Sequence, residues 1–221
     1  MSALAQWLSD PASWWGPGGL LARTLEHAGY SLGTTLAAVA VTLPVALWVG
    51  HTGRGRLAAV QLANIGRAVP TFGILLGAFV AFGYGLAPVY AALVALAIPP
   101  IMVNTVVGVG QVDPEVREAA EGMGMRGWQV LLRVELPLAA PMVMAGVRTA
   151  AVQVVATATL AAVVGLGGLG RPIVDGLAQG AAYSPRAQAM VVTGAIAVAL
   201  LALAAELGLS AVERALTPPG G

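Results

Sequence analysis

The chain has 221 residues, 58% of them hydrophobic and 10% charged, with 11 basic against 10 acidic side chains and a mean hydropathy of +0.83. That composition excludes an ordinary soluble domain and points to several membrane-crossing helices, and neither the formal charge of +1 nor any basic patch gives grounds for a nucleic-acid partner. There are no cysteines to form disulfides or thiolate metal sites, and with every basic residue an arginine the chain cannot carry a phosphate-binding loop of the Gly-Lys-Ser/Thr kind.

Taken in order, residues 1–29 show no positive stretch ahead of an apolar core, which argues against a cleaved signal peptide. Trp7, Trp14 and Trp15 suit a membrane interface, where an indole presents one apolar and one wet side. Residues 20–28 read as a short surface helix leading into the first span, and His27 and Ser31, four apart, read as neighbours on a helix surface rather than a catalytic dyad. His27 and His51 are too distant in sequence to form a metal-ligand cluster. The first span is read at about 30–50, where roughly 21 residues give about 31 Å. His51, Arg54 and Arg56 follow it directly.

A second span at about 57–82 contains Arg67 and Pro70. Arg67 lies roughly 15 Å into it, too deep for a snorkelling end residue, and an ionisable group there costs at least ~2.5 kcal/mol on insertion scales. With the Pro70 kink it is expected to line a translocation path or brace a neighbouring subunit; an ion pair within the bundle is the structural alternative. A third span, about 86–109, holds Pro99 and Pro100, whose rings should disturb the helix. The carbonyls they free lie near Asn104 and Thr105, where substrate, water or adjacent helices would meet them.

Between spans three and four, residues 113–137 form a charged insert punctuated by glycine. Asp113 followed by Pro114 is a helix start. Val116, Ala119, Ala120 and Met123 then recur at helical spacing as one apolar face, with Glu115, Arg117, Glu118 and Glu121 around the rest. Gly122 and Gly124 should end that helix. A second short helix carries Trp128, Leu131 and Leu132 on one face, flanked by Arg126 and Arg133, until Leu136 and Pro137 stop it. A fourth span at about 138–164 carries Arg148, shallow enough to snorkel, and a fifth at about 188–209 ends near Glu206. Gly165 to Gly170 between them satisfies G-x-G-x-x-G, but it follows a span instead of a strand and has only Asp175 nearby, so it is not a dinucleotide site.

The insert resembles the EAA motif of bacterial ABC-importer permeases: Glu-Ala-Ala, three residues, Gly, nine residues, an aliphatic, one residue, Leu-Pro. Glu118, Ala119, Ala120, Gly124, Val134, Leu136 and Pro137 fall on it without gap or insertion. Residues 67–72 resemble the Gln-x-Ile-Pro-Ser stretch of osmoprotectant permeases, with arginine where glutamine is common, and 146–150 and the glycine turn resemble further segments of that branch. The resemblance implies an all-α polytopic membrane bundle of about five spans with a cytoplasmic coupling-helix pair. It divides the chain into an N-terminal interfacial segment (1–29), a permease domain (30–215) and a tail (216–221).

The function so implied is a permease subunit of an ATP-driven, binding-protein-dependent importer, for glycine betaine, carnitine or choline. Glu118, Ala119, Ala120, Gly124, Arg126, Val134, Leu136 and Pro137 would couple to the ATPase, and Arg67, Pro70, Asn104, Gly167 and Gly168 would line the path. The chain itself would be no enzyme and hold no cofactor or metal; ATP and Mg would sit on separate ABC ATPase subunits. A second permease subunit, an extracytoplasmic solute-binding protein and membrane lipid complete the expected partners. Arg54, Arg56, Arg117, Arg126, Arg133 and Arg214 on the insert's side, against Arg23, Arg171 and Arg186, orient the N-terminus outside and the C-terminus inside the bacterial inner membrane. Permeases for methionine or other small solutes are the near alternative. A passive pore leaves the motif's spacing unexplained, and an intramembrane enzyme lacks paired histidines, a Ser-Lys dyad or facing acids.

Overall fold

The computed structural model describes residues 3–68 and 70–216, with 67, 68 and 216 described by backbone alone. Every regular element among them is helical. Two short helices, α1 (Ala3–Ser9) and α2 (Pro11–Trp14), precede the 33-residue α3 (Leu20–Thr52). Asp10 starts α2 by accepting the Ala12 amide at 3.0 Å, with Pro11 at the first helical position. At 1.5 Å per residue α3 is about 50 Å long, well beyond the ~30 Å hydrocarbon layer. It absorbs the stretch 20–28 that hydropathy alone sets apart as a separate surface helix.

Then follow α4 (Arg56–Ala68), α5 (Thr71–Phe82), α6 (Leu86–Gly110), α7 (Pro114–Gly122) and α8 (Gly127–Val130). A π turn (Leu131–Glu135) joins α8 to α9 (Leu136–Thr157), a 3-10 turn (Ala158–Ala162) closes that rod, and α10 (Gly170–Ala178) and α11 (Pro185–Leu216) complete the chain. Among the described residues four helical stretches are long and apolar enough to cross a membrane, and α4 with α5, a pair bent by 87° at a short break, make a fifth if the two together are one span. The second expected span is therefore interrupted beside Pro70, where the ring removes an amide donor and disfavours helix in the residue before it. Pro99 and Pro100 do not have that effect: α6 runs unbroken through both.

Helices α3, α6, α9 and α11 each pass through two compact units. The first comprises 1–34, 71–93 and 152–205, and its core gathers Leu75, Val89, Ala92, Leu93, Ala158, Ala161 and Val164. The second comprises 35–70, 94–151 and 206–221, with Leu47, Val109, Ala139 and Val143 in one cluster and Ala46, Val49 and Val106 in another. Glycine lets its backbones meet closely. A Cβ on Gly108 would stand 2.6 Å from Met142 Cβ, and one on Gly146 would stand 2.8 Å from both Asn104 Cβ and the Pro100 carbonyl.

Candidate functional site

Within the second unit, the segment after α6 forms a closed local structure. Asp113 accepts the Glu115 amide at 2.9 Å and Pro114 opens α7. At the far end Gly124 takes φ +84°, while its own amide reaches the Glu121 carbonyl and that of Met125 reaches Ala120, at 2.8 and 3.2 Å. This is the helix stop in which a left-handed glycine returns two amides to the last turn. The Arg126 amide then donates to Gln129 Oε1 at 2.7 Å, starting α8.

The second helix of the insert does not end at Leu136 and Pro137 as the sequence suggests. Proline has no amide for the carbonyl four residues back and its ring crowds that turn. The chain answers by widening: the Leu136 amide bonds to Leu131, five residues back, and the rod continues into α9.

Burial sorts the insert into two faces. Ala120, Val130 and Glu135 are buried, whereas Glu118, Ala119, Gly124, Arg126 and Pro137 are exposed and Val134 and Leu136 half-buried. Val116, Met123, Trp128 and Leu132 expose 41, 73, 56 and 49% of their surface, so these four apolar side chains face outward, while Met125, Leu131 and Leu136 are half-buried and Val130 is buried. Beside them stand Glu115, Glu118, Glu121 and Arg126, also exposed. An exposed apolar group rimmed by charge marks a contact surface.

Behind this face lies a cluster that the sequence reading misses. The Glu135 carboxylate, at the end of the π turn, is fully buried. His51 Nδ1 lies 2.7 Å from its Oε2 and Arg117 Nε 2.8 Å from its Oε1, an ionic contact in which the Arg117 N–H is not aligned on the oxygen. Arg117 also donates through Nη2 to the Val109 carbonyl at the end of α6. Arg117 thus reaches across to Glu135, although Glu121 stands one turn along its own helix. The signal was present in the sequence, since Glu135 is a lone acid between Val134 and Leu136 at the mouth of an apolar run.

The expected path residues fall in different places. Asn104 uses its amide inside α6, donating to the Pro100 carbonyl at 2.8 Å. Pro70 is exposed at the break between α4 and α5, and the Arg67 side chain lies outside the described residues. Gly167 and Gly168 belong to the first unit, where they are held against α3. Glu26 accepts the Gly168 amide at 2.8 Å and Arg23 at 3.0 Å, while His27 accepts the Leu169 amide at 3.2 Å through Nδ1 and donates through Nε2 to Val155 at 2.8 Å. His27 is therefore a fully buried clasp and not a surface neighbour of Ser31. Arg148, read as snorkelling, is ion-paired with Glu206 at 3.0 Å and Glu213 at 2.8 Å on α11. No three metal-ligating side chains come together among the described residues.

Against known proteins, residues 17–218 match the family described as the binding-protein-dependent transport system inner membrane component. The chain is 36% identical over 199 residues to the carnitine transport permease protein OpuCB of Listeria monocytogenes, covering 90% of this chain and 88% of that one. It is 34% identical over 203 residues to the glycine betaine/carnitine/choline transport system permease protein OpuCB of Bacillus subtilis, covering 92% and 91%. Among solved structures, the inward-facing MetNI methionine ABC transporter superposes with a TM-score of 0.76 at 21% identity, over 90% of this chain and 96% of that one.

Proposed function

Because the chain belongs to the family of binding-protein-dependent transport system inner membrane components, we propose that it moves glycine betaine, carnitine or choline, with α7 and α8 as its grip on the ATPase. It is a multi-pass permease subunit of an ABC importer, and ATP is hydrolysed on a separate subunit. The single observation that carries the coupling role is the outward apolar face Val116, Met123, Trp128 and Leu132, set on a segment fixed at both ends. A face of this kind, on a chain that cannot itself bind nucleotide through a phosphate loop, fits a groove on a motor protein. The relatives' solutes support the choice of substrate class.

In this reading ATP binding draws two motors together, the bent segments move with them, and a path between two permease subunits opens to alternate sides. An extracytoplasmic binding protein delivers the solute. The path itself is assigned to Arg67, Pro70, Asn104, Gly167 and Gly168, with the last two positioned by the Glu26 and His27 clasp.

Uptake decides the solute. Cells with and without the gene are given micromolar labelled betaine, carnitine, choline or methionine at low and high salt. Gene-dependent uptake of a quaternary ammonium compound that rises with salt is expected; uptake of methionine instead would overturn the substrate assignment. Replacing Glu118 or Gly124 is expected to abolish transport-linked hydrolysis in an assembled complex, whereas unchanged transport would return the chain to a passive pore.

A further inference from the structure

We propose that Glu135 is the transmission point of this permease: a buried carboxylate through which movement of α7 is passed to the ends of the spans. The inference rests on the reading of α7 as the motor's grip and adds the residues that carry its motion inward.

The geometry is a hub with four arms. Glu135 itself ends the π turn that feeds α9. Its Oε2 meets His51, in the last turn of α3, and its Oε1 meets Arg117, in the middle of α7. Arg117 reaches on to the Val109 carbonyl in the last turn of α6. One carboxylate therefore joins the grip helix to the ends of three membrane helices, all within one compact unit. The surroundings leave these groups little room to rearrange. A Cβ on Gly127 would come within 3.3 Å of His51 Nε2, and Val130, five residues before Glu135, has no exposed surface.

Ionic contact suits transmission better than apolar packing would. Apolar attraction has no direction of its own, whereas an ion pair ties two particular groups together at contact distance. A fully buried carboxylate cannot part from the Arg117 guanidinium without being left as an uncompensated charge, so Arg117 and Glu135 must travel together. The widened turn serves the same end, because it sets Glu135 facing inward at the point where α8 becomes α9. Glu135 and Arg117 are thus positioning residues, acting through α7.

The test uses the whole complex of this chain, its ATPase and its binding protein in liposomes, with both ATP hydrolysis and solute uptake measured. Glu135→Gln keeps the size and removes the charge; Arg117→Ala removes the arm and Arg117→Lys restores its charge. Assembled complex and ATP turnover are expected to persist in Glu135→Gln and Arg117→Ala, while solute imported per ATP falls at least about ten-fold. Arg117→Lys should recover most of that ratio. An unchanged ratio in both charge-removing variants would overturn the linkage, as would hydrolysis and uptake falling together in proportion to lost complex. Should Glu135→Gln fail to assemble, the Arg117 pair decides. A wild-type complex that hydrolyses ATP without importing any solute fails the functional reading itself, a result separate from either.

Discussion

At the scale of single residues, the glycine turn after α9 shows how much a missing side chain can determine. A Cβ on Gly167 would stand 2.1 Å from Glu26 Oε2 and 2.9 Å from Arg23 Nη1, so the Arg23–Glu26 pair would have to move. Gly168 adopts φ +84° and donates to the same carboxylate. Alanine there costs about 1–2 kcal/mol for the left-handed backbone alone, and its Cβ would also press to 3.1 Å of His27 Nδ1. Gly29, in the same helix as Glu26 and His27, has open space around it and an ordinary helical φ. Gly168→Ala should therefore lower the melting temperature of the detergent-purified protein by several degrees. Gly29→Ala should hold or raise it, since alanine favours helix by about 1 kcal/mol over glycine. Equal melting temperatures for the two would refute the clasp. The sequence displayed the glycines but not their partners, because Glu26 and His27 lie more than a hundred positions upstream and bind mainly to backbone. A backbone acceptor such as Val155 leaves no mark in the identity of any residue.

At the scale of elements, hydropathy placed the membrane helices well, because long aliphatic runs admit few other structures in lipid. It placed their ends less well. Proline marked a stop at Pro137 and a disturbance at Pro99 and Pro100, yet α9 continues from a widened turn and α6 runs through. Local rules describe what proline removes, and neighbouring groups decide whether the loss is made good. The carbonyls that Pro99 and Pro100 leave without a helical donor are those of Ala95 and Leu96; one turn further on, Asn104 adds a side-chain bond to the Pro100 carbonyl itself, at 2.8 Å. The α6–α9 contact depends on this same turn, since Gly146 packs against Asn104 and the Pro100 carbonyl. Gly146→Val would drive methyl groups into backbone, which cannot swing aside as a long side chain does. Membrane-inserted, monodisperse protein should fall sharply for Gly146→Val. Gly66→Ala, whose nearest neighbour is Pro99 Cγ at 3.5 Å, should give a yield near that of the wild type. Similar recovery of both variants would mean that α6 and α9 do not meet through Gly146.

For the whole molecule, orientation can be tested without altering the chain first, because it contains no cysteine to compete with an introduced one. Trp15, Met123 and Tyr183 expose 69, 73 and 94% of their surface and lie in three different connecting segments or their edges. Each is replaced in turn by cysteine and tested in intact cells with a maleimide that cannot cross the membrane. Between Met123 and Tyr183 lies one candidate span, Gly127–Ala162, so the two must label from opposite sides. The expectation from the arginine distribution is a Met123 side turned inward. Tyr183→Cys should react in intact cells and Met123→Cys only after permeabilisation. Trp15 then reports on α4 and α5. If that bent pair crosses the membrane, three spans separate Trp15 from Met123 and Trp15→Cys reacts from outside; if it re-enters on one face, two spans separate them and Trp15→Cys is protected. External labelling of Trp15→Cys is expected, in keeping with five spans and an outer N-terminus. External labelling of Met123→Cys would remove α7 from the reach of any cytoplasmic motor and the proposed coupling with it.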